Sequence, residues 1–405
     1  MQSASFLRLL LPGAMLLGLA ATAHAEDSVK IGVPVSISGR FASFGARCAH
    51  GVEMAGEALA HASLSPKVDF LVRDIQSTPQ QTVATMIDLV QQQQVPIVLG
   101  PVASPLAAAA IPAWRQATPV WMVPGASTET LEREVGHEKL MFHTFPYAYH
   151  YYASLAKMLA ASLPPGQKVM VLYSDDDYGR THLPFIRKYF AGPEFKIISE
   201  EIVRTNAPDM NPVLSKVAAT KPDIMVVAMQ TTDGATLARQ VYARRLPVPY
   251  LVATAFPQYP EWKNAVGDAA AEGWIGVGTY LPGVVNWPAN PDHPDLLPST
   301  AAWEKLYRAK YNAEPNQNDL LCYVNAIMLA LAVQQAGGPD KEKIASALRG
   351  MDMTTTYGKL KFARTEEGTD QQAFFDLIVS QRQNGRDAVL YPPEQVNAKL
   401  VPLVR

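Results

Sequence analysis

Two segments decide how this chain folds: Val95-Pro-Ile-Val-Leu-Gly-Pro-Val-Ala-Ser104 and Pro119-Val-Trp-Met-Val-Pro-Gly-Ala-Ser127. Each reads as a short apolar strand that runs into a loop of small residues and then into a helical stretch. A strand buried on both faces is continuously apolar rather than alternating, and such strands belong to parallel sheets covered by helices. The loops carry a second message. Backbone N–H groups and the hydroxyls of Ser104 and Ser127 gather at the strands' carboxyl ends, where the positive ends of the peptide dipoles favour an anion. No nucleophile or base is attached to either loop, so the expected geometry is that of a binding site, one suited to a carboxylate.

Working outward, Val29-Lys-Ile-Gly-Val-Pro-Val35 predicts a buried strand, a turn follows at Ser38-Gly39, and apolar residues at helical spacing predict a helix over residues 45–61. A strand over 68–72 comes next, and Thr78-Pro79 starts a helix running to Gln93, with proline placed where its missing N–H costs nothing. The alternation repeats with strands over 168–173, 197–203 and 223–228 and helices over 179–190, 213–219 and 236–245. This predicts an α/β fold of two doubly wound lobes with parallel-sheet cores. The proline-rich run over 281–298 reads as an ordered surface excursion, followed by helices over 300–310, 318–336 and 341–349 and short strands over 358–362 and 374–380. Two such lobes place their strand ends at a shared crevice, where a ligand is expected.

Residues 1–25 carry Arg8, an apolar run and a small-residue end, Ala23-His24-Ala25. This is the pattern of a cleaved secretory signal, with the mature chain starting near Glu26. A membrane anchor would need roughly 20 unbroken apolar residues, and Gly13 and Gly18 interrupt this run. No later stretch reads as long and apolar enough to span a bilayer. The remaining ~380 residues exceed what one core usually serves, so at least two domains are expected. A net charge of −2 gives nucleic acid and anionic lipid nothing to hold, which leaves a small molecule as the expected partner. Cys48 and Cys322 are the only cysteines. In an exported chain they most simply form one disulfide; two separate buried thiols are the alternative, because both fall in helix-like segments.

Several short motifs now line up: Ile31-Gly-Val-Pro-Val-Ser-Ile-Ser-Gly39 with Phe44-Gly45, Asp74 with Pro79, Gly100-Pro101 with Ser104, and Pro124-Gly-Ala-Ser127. Asp175-Asp-Asp-Tyr-Gly179, Lys221-Pro-Asp223 and Tyr323 ahead of Ala336-Gly337 continue the series. In this order the chain resembles, over the whole mature sequence, the periplasmic solute-binding proteins of the branched-chain-amino-acid type, which deliver small ligands to ABC importers. The resemblance implies the type I periplasmic binding fold, with three crossovers and hinges near residues 145–147, 278–281 and 353–357. It divides the chain into one lobe of residues 26–146 plus 281–355 and a second of residues 147–280 plus 356–405. It also implies a monomeric periplasmic binder without cofactor or catalytic residues, whose partners are a carboxylate-bearing small molecule and inner-membrane permease subunits.

Carried over residue by residue, the resemblance makes Ser104, Gly125 and Ser127 the carboxylate-holding set, with Ala126 of the same loop among the ligand-binding residues. Helix capping is the plainer role for Ser104 and Ser127, and a turn for Gly125. Phe44, Tyr178 and Tyr323 match the family's aromatic contacts, with core packing the alternative, strongest for Tyr323 in its apolar helix. Gln230, Thr231 and Thr254 complete the expected lining. One departure matters. Amino-acid binders of this type fix the ammonium with an acid in the loop that here reads Ala253-Thr-Ala-Phe256. Without that countercharge a buried ammonium would lose several kcal/mol. An organic acid with an apolar or aromatic body is therefore expected, and an amino acid only if Asp233 or another acid reaches in; Asp233 itself is expected to cap the helix that follows it.

Other chemistry finds little support. Asp175-Asp-Asp177 lacks the spacing of a calcium loop and reads as a solvated turn, and the histidines show no metal-ligand spacing. Ser127 lacks the Gly-x-Ser-x-Gly setting of a hydrolase nucleophile, nothing in the sequence supplies its base, and no glycine-rich phosphate loop follows a strand. A periplasmic ligand sensor of the same fold is the alternative reading; a hydrolase is a distant one.

Overall fold

The computed structural model of the protein describes residues 28–403, apart from 255, 285, 366–367 and 374–376. The expected signal segment lies outside the described residues. The first sheet is built by β1 (Val29–Val35), α1 (Ala42–Ala60), β2 (Val68–Asp74), α2 (Pro79–Ile87), β3 (Ile97–Leu99), α3 (Ser104–Trp114), β4 (Val120–Val123), α4 (Glu129–Val135) and β5 (Met141–His143). Its five strands are all parallel in the order β2-β1-β3-β4-β5. Every residue of β3 and β4 is buried, which is why the two segments read as unbroken apolar runs. Thr78 Oγ1 caps α2 by accepting from Gln81 N at 3.2 Å, with Pro79 in the first turn.

Helix α5 (Ala148–Ser162) then leads to a second run of β6 (Gln167–Ser174), α6 (Asp177–Tyr189), β7 (Phe195–Val203), α7 (Asn211–Thr220), β8 (Ile224–Ala228), α8 (Thr231–Ala243) and β9 (Tyr250–Thr254). After α9 (Pro260–Val266), α10 (Asp268–Ala271) and β10 (Trp274–Gly278), the chain returns to the first sheet with α11 (Thr300–Tyr311), α12 (Gln317–Ala336) and α13 (Lys341–Arg349). A hairpin of β11 (Asp352–Thr355) and β12 (Gly358–Lys361) precedes β13 (Ile378–Gln383) and β14 (Arg386–Tyr391). The second sheet runs β14-β13-β10-β9-β8-β6-β7, with a parallel core and β13 and β14 antiparallel at one edge.

The last passage between sheets falls later than residues 353–357. Phe362 packs edge-on against Phe142 at 5.1 Å, Gln372 bridges His143, and Asp370 N bonds to Gly136 O, so residues through Ala373 stay with the first sheet. Helix α12 is long and apolar enough to cross a membrane, contrary to the sequence reading of that stretch, but 83% of its apolar window is buried in the protein core. It packs on α1, and Cys48 is bonded to Cys322 across that contact with Cα atoms 5.1 Å apart.

Candidate functional site

The carboxyl ends of both sheets face one cavity. From the first sheet come Phe44, at the start of α1, Ser104, the first residue of α3, and the Gly125-Ala126-Ser127 loop after β4. From the second come Tyr178 in the first turn of α6, Gln230 and Thr231 at the start of α8, and Thr254 at the end of β9. These nine residues come together as the sequence reading grouped them. Tyr323 does not: its hydroxyl donates to Leu296 O at 2.7 Å and its ring packs on Trp303, so its helical face turns into the first lobe's own core. The α12 residue that reaches the cavity is Asn318, one turn and a half earlier.

The β4 loop is held in place from three sides. Ala126 sits at φ 61°, a conformation non-glycine residues seldom adopt and one that recurs where backbone groups are aimed at a ligand. Behind it, His143 Nε2 lies 2.8 Å from Gly125 O and 3.1 Å from Ala126 O, and burial pushes the His143 pKa down. Gly125 is there for close approach: a Cβ at that position would stand 2.6 Å from Val102 O, on the neighbouring β3 loop. The third support is the hydrogen bond between Ser127 Oγ and His182 Nε2 at 2.9 Å, which joins the β4 loop to α6. The expected caps shift accordingly. Thr128, not Ser127, caps α4, through Thr130 N at 3.1 Å, and the cap position of α3 is Ala103, with no side-chain bond.

The second wall is aromatic and largely self-satisfied. Tyr178 packs at a tilt of 35° against His182 with ring centroids 3.9 Å apart and shares a hydrogen bond with Thr254 Oγ1, while burial raises its pKa. Phe145, Tyr151, Phe256 and Tyr259 add apolar surface, and Tyr259 meets Phe44 edge-on at 5.9 Å across the cavity. Gly234 makes room for Phe256, whose ring would lie 2.6 Å from a Cβ there. Gln230 Nε2, Thr231 Oγ1 and Tyr151 OH are buried polar atoms on the lining with no hydrogen-bond partner among the described residues. Leaving such groups unpaired costs about 1–3 kcal/mol each, so they are what a bound molecule would satisfy.

Among the described residues, no Asp, Glu, Lys, Arg or His lines the cavity. Its polarity comes from hydroxyls, amides and the N-terminal turns of α3, α6, α8 and α12, which contribute Ser104, Tyr178, Thr231 and Asn318. Full charges stand at the rim instead. Arg40 Nη2 lies 2.9 Å from Asp233 Oδ2 and 3.7 Å from Asp176 Oδ2, joining the β1 loop to α8 and α6. Asp233 is therefore no side-chain cap of its own helix: its other oxygen accepts from Asn206 N at 2.9 Å. Burial raises the Asp233 pKa, with Arg40 opposing. A second pair, Arg47 with Glu261 at 3.4 Å, closes the opposite side, backed by Asp319 at 3.4 Å.

The acidic run near Tyr178 is structural. Asp176 caps α6 through Gly179 N at 3.1 Å, Asp175 pairs with Arg180, and Asp177 accepts from Thr130 Oγ1 at 2.7 Å. No cluster of three or more His, Cys, Asp or Glu able to hold a metal occurs among the described residues. The aromatic and amide residues of the lining that the sequence reading missed are Phe145, Tyr151, Phe256, Tyr259 and Asn318. Phe256 is the aromatic end of the very loop where the acid was missing.

This arrangement, two α/β lobes whose strand ends share one cavity, is that of a solute-binding protein. The periplasmic binding protein family model matches residues 28–385, and the chain belongs to that family. The Leu/Ile/Val-binding protein homolog 7 of Brucella melitensis is 20% identical over 386 residues, 92% of this chain and 94% of the relative. The branched-chain amino acid transporter substrate binding protein LivJ of Streptococcus pneumoniae, in complex with isoleucine, aligns with TM-score 0.77 at 20% identity over 93% of this chain and 100% of its own. A solute binding protein of an ABC transporter from R. palustris, in complex with benzoate, aligns with TM-score 0.75 at 18% identity, over 92% and 100%. At these identities the structures establish the fold and leave the ligand to the cavity itself.

Proposed function

We propose that the protein captures an aromatic carboxylic acid between two closing lobes and presents it to the permease of an ABC importer in the periplasmic compartment. The observation that carries this reading is the lining: six aromatic side chains, Phe44, Phe145, Tyr151, Tyr178, Phe256 and Tyr259, and no charged one. An ammonium drawn into this space would lose its hydration with no carboxylate to replace it. A carboxylate meets hydroxyls and backbone N–H groups at Ser104 and Gly125-Ala126-Ser127, and its aromatic body fills the second wall. The benzoate complex of a fold neighbour supports the size and class of the ligand.

A thermal-shift screen followed by calorimetry tests it. Benzoate and hydroxylated benzoates are expected to raise the melting temperature and bind with a defined stoichiometry, while leucine, isoleucine and valine leave it unmoved. Stabilisation by the aliphatic amino acids alone would overturn the reading. Small-angle scattering of the monomer is expected to show compaction with the bound acid, since the ligand must favour the closed state to be enclosed.

A further inference from the structure

The Ser127–His182 bond continues inward. His182 Nδ1 lies 2.9 Å from the hydroxyl of Tyr152, on α5, and all three residues are buried, with Tyr152 and His182 fully so. The row Tyr152–His182–Ser127 runs from the core of the second lobe to the cavity surface at the anion end. Each member offers a fixed inventory. A phenol has one proton to give; a neutral imidazole has one N–H and one lone pair; a serine hydroxyl gives one proton and accepts.

We infer that Tyr152 and His182 are positioning residues that commit Ser127 to donating its proton into the cavity, and so tune the site for an anion over a neutral isostere. The argument is one of satisfaction. The hydroxyl of Tyr152 has a single hydrogen-bond partner among the described residues, His182 Nδ1. Were Nδ1 to carry the imidazole proton, the Tyr152 proton would be buried with no acceptor, a cost of about 1–3 kcal/mol. Tyr152 therefore donates, Nδ1 accepts, and the imidazole proton sits on Nε2. Nε2–H in turn donates to Ser127 Oγ. With its oxygen receiving that bond, the serine proton is left to point at the ligand, where a carboxylate oxygen is the strongest available acceptor. Burial keeps His182 neutral, its pKa pushed down to about 3.

The same assignment explains why a serine 2.9 Å from a histidine is not a nucleophile. A general base needs a lone pair facing the serine, and here the facing nitrogen carries the proton. The sequence reading found no base for Ser127; the structure supplies a histidine in position, and Tyr152 holds it in the tautomer that binds rather than the one that abstracts.

This inference rests on the aromatic-acid reading for its ligand but not for its proton. Nitrogen-15 NMR of histidine-labelled wild-type protein, without ligand, reads the tautomer directly: His182 protonated on Nε2 is expected, and protonation on Nδ1 would overturn the proposal. Titrating benzoate and benzamide into wild type and Tyr152→Phe then reads the consequence. The variant is expected to lose benzoate affinity by about tenfold while benzamide changes far less, because the charge-assisted bond is the stronger one. An unchanged benzoate-to-benzamide ratio in folded Tyr152→Phe would sink the proposal. Should neither probe bind wild type, the ligand class falls, and the tautomer measurement still decides the relay.

Discussion

The inside of the cavity and its rim are built from opposite materials. The lining has no charged side chain, whereas the rim is held by Arg40 with Asp233 and Asp176 on one side and by Arg47 with Glu261 and Asp319 on the other. Charges at a rim are solvated when lobes part and paired when they meet, so they favour closure without asking what is inside. Neutral hydroxyls and helix N-termini do ask: in a space of low dielectric they reward a carboxylate and offer an ammonium nothing. The rim thus supplies closure, and the interior supplies selection.

The largest test inserts a rim-type group into the interior. Thr254→Asp places a carboxylate beside the Tyr178 hydroxyl, in the loop where amino-acid binders of the family keep their acid. A carboxylate buried against the aromatic body has no countercharge there and repels the benzoate charge across a space of low dielectric, so benzoate affinity is expected to fall by about a thousandfold in calorimetry, while leucine gains a measurable heat. Benzoate binding within about tenfold of wild type would break the comparison.

Next in size is the pH signature of a neutral interior. Burial holds the His182 pKa near about 3 and that of His150 near about 4, against ~6.5 in an unfolded chain. Between those values the unfolded chain binds more protons than the folded one, so stability rises with pH across the window and is lost on acidification from ~6.5. Urea unfolding of the ligand-free protein is expected to lose about 1.4 kcal/mol per pH unit for each such histidine, and His182→Gln should show a slope shallower by one proton.

How much of this was legible in the sequence follows from the same division. The strands β3 and β4 announce themselves because burial on both faces leaves them uniformly apolar, and their loops place Ser104 and Ser127 correctly at the cavity. Tyr323 was misplaced because an all-buried helix has no polar face from which to read direction: 17 of the 20 residues of α12 are buried, so its cavity-facing residue cannot be told from its neighbours. The α5 helix went unread, since Tyr149, Tyr151 and Tyr152 near its start blur the apolar stripe, and with it went Tyr152 and Tyr151. The rim pairs were invisible for a different reason. Arg40 and Asp233 are 193 residues apart, and no local pattern joins them.

The interior's hydroxyls should matter one step less than its neutrality. Ser104→Ala removes a donor from the first turn of α3 and leaves the backbone N–H groups in place, so benzoate affinity is expected to drop by about tenfold, the weight of one hydrogen bond to a charged group. A loss shared equally by benzoate and benzamide would assign Ser104 to general packing and weaken the claim that the interior selects.

The smallest effect is expected at the rim, and its pattern is the informative part. Arg40→Ala removes the partner of Asp233 in the closed state, but Asp233 keeps the bond from Asn206 N. Burial already raises its pKa, so without Arg40 the carboxyl can take up a proton on closing instead of remaining an uncompensated charge. That escape limits the loss to about threefold, within the range of partly exposed ion pairs. The loss should be the same for benzoate and benzamide, since the rim acts on closure alone. Added salt should weaken wild-type binding more than that of the variant, which keeps only the Arg47 pair to screen. A variant that discriminated between the two ligands would show that Arg40 reaches into the interior field, and the division of labour between rim and lining would have to be redrawn.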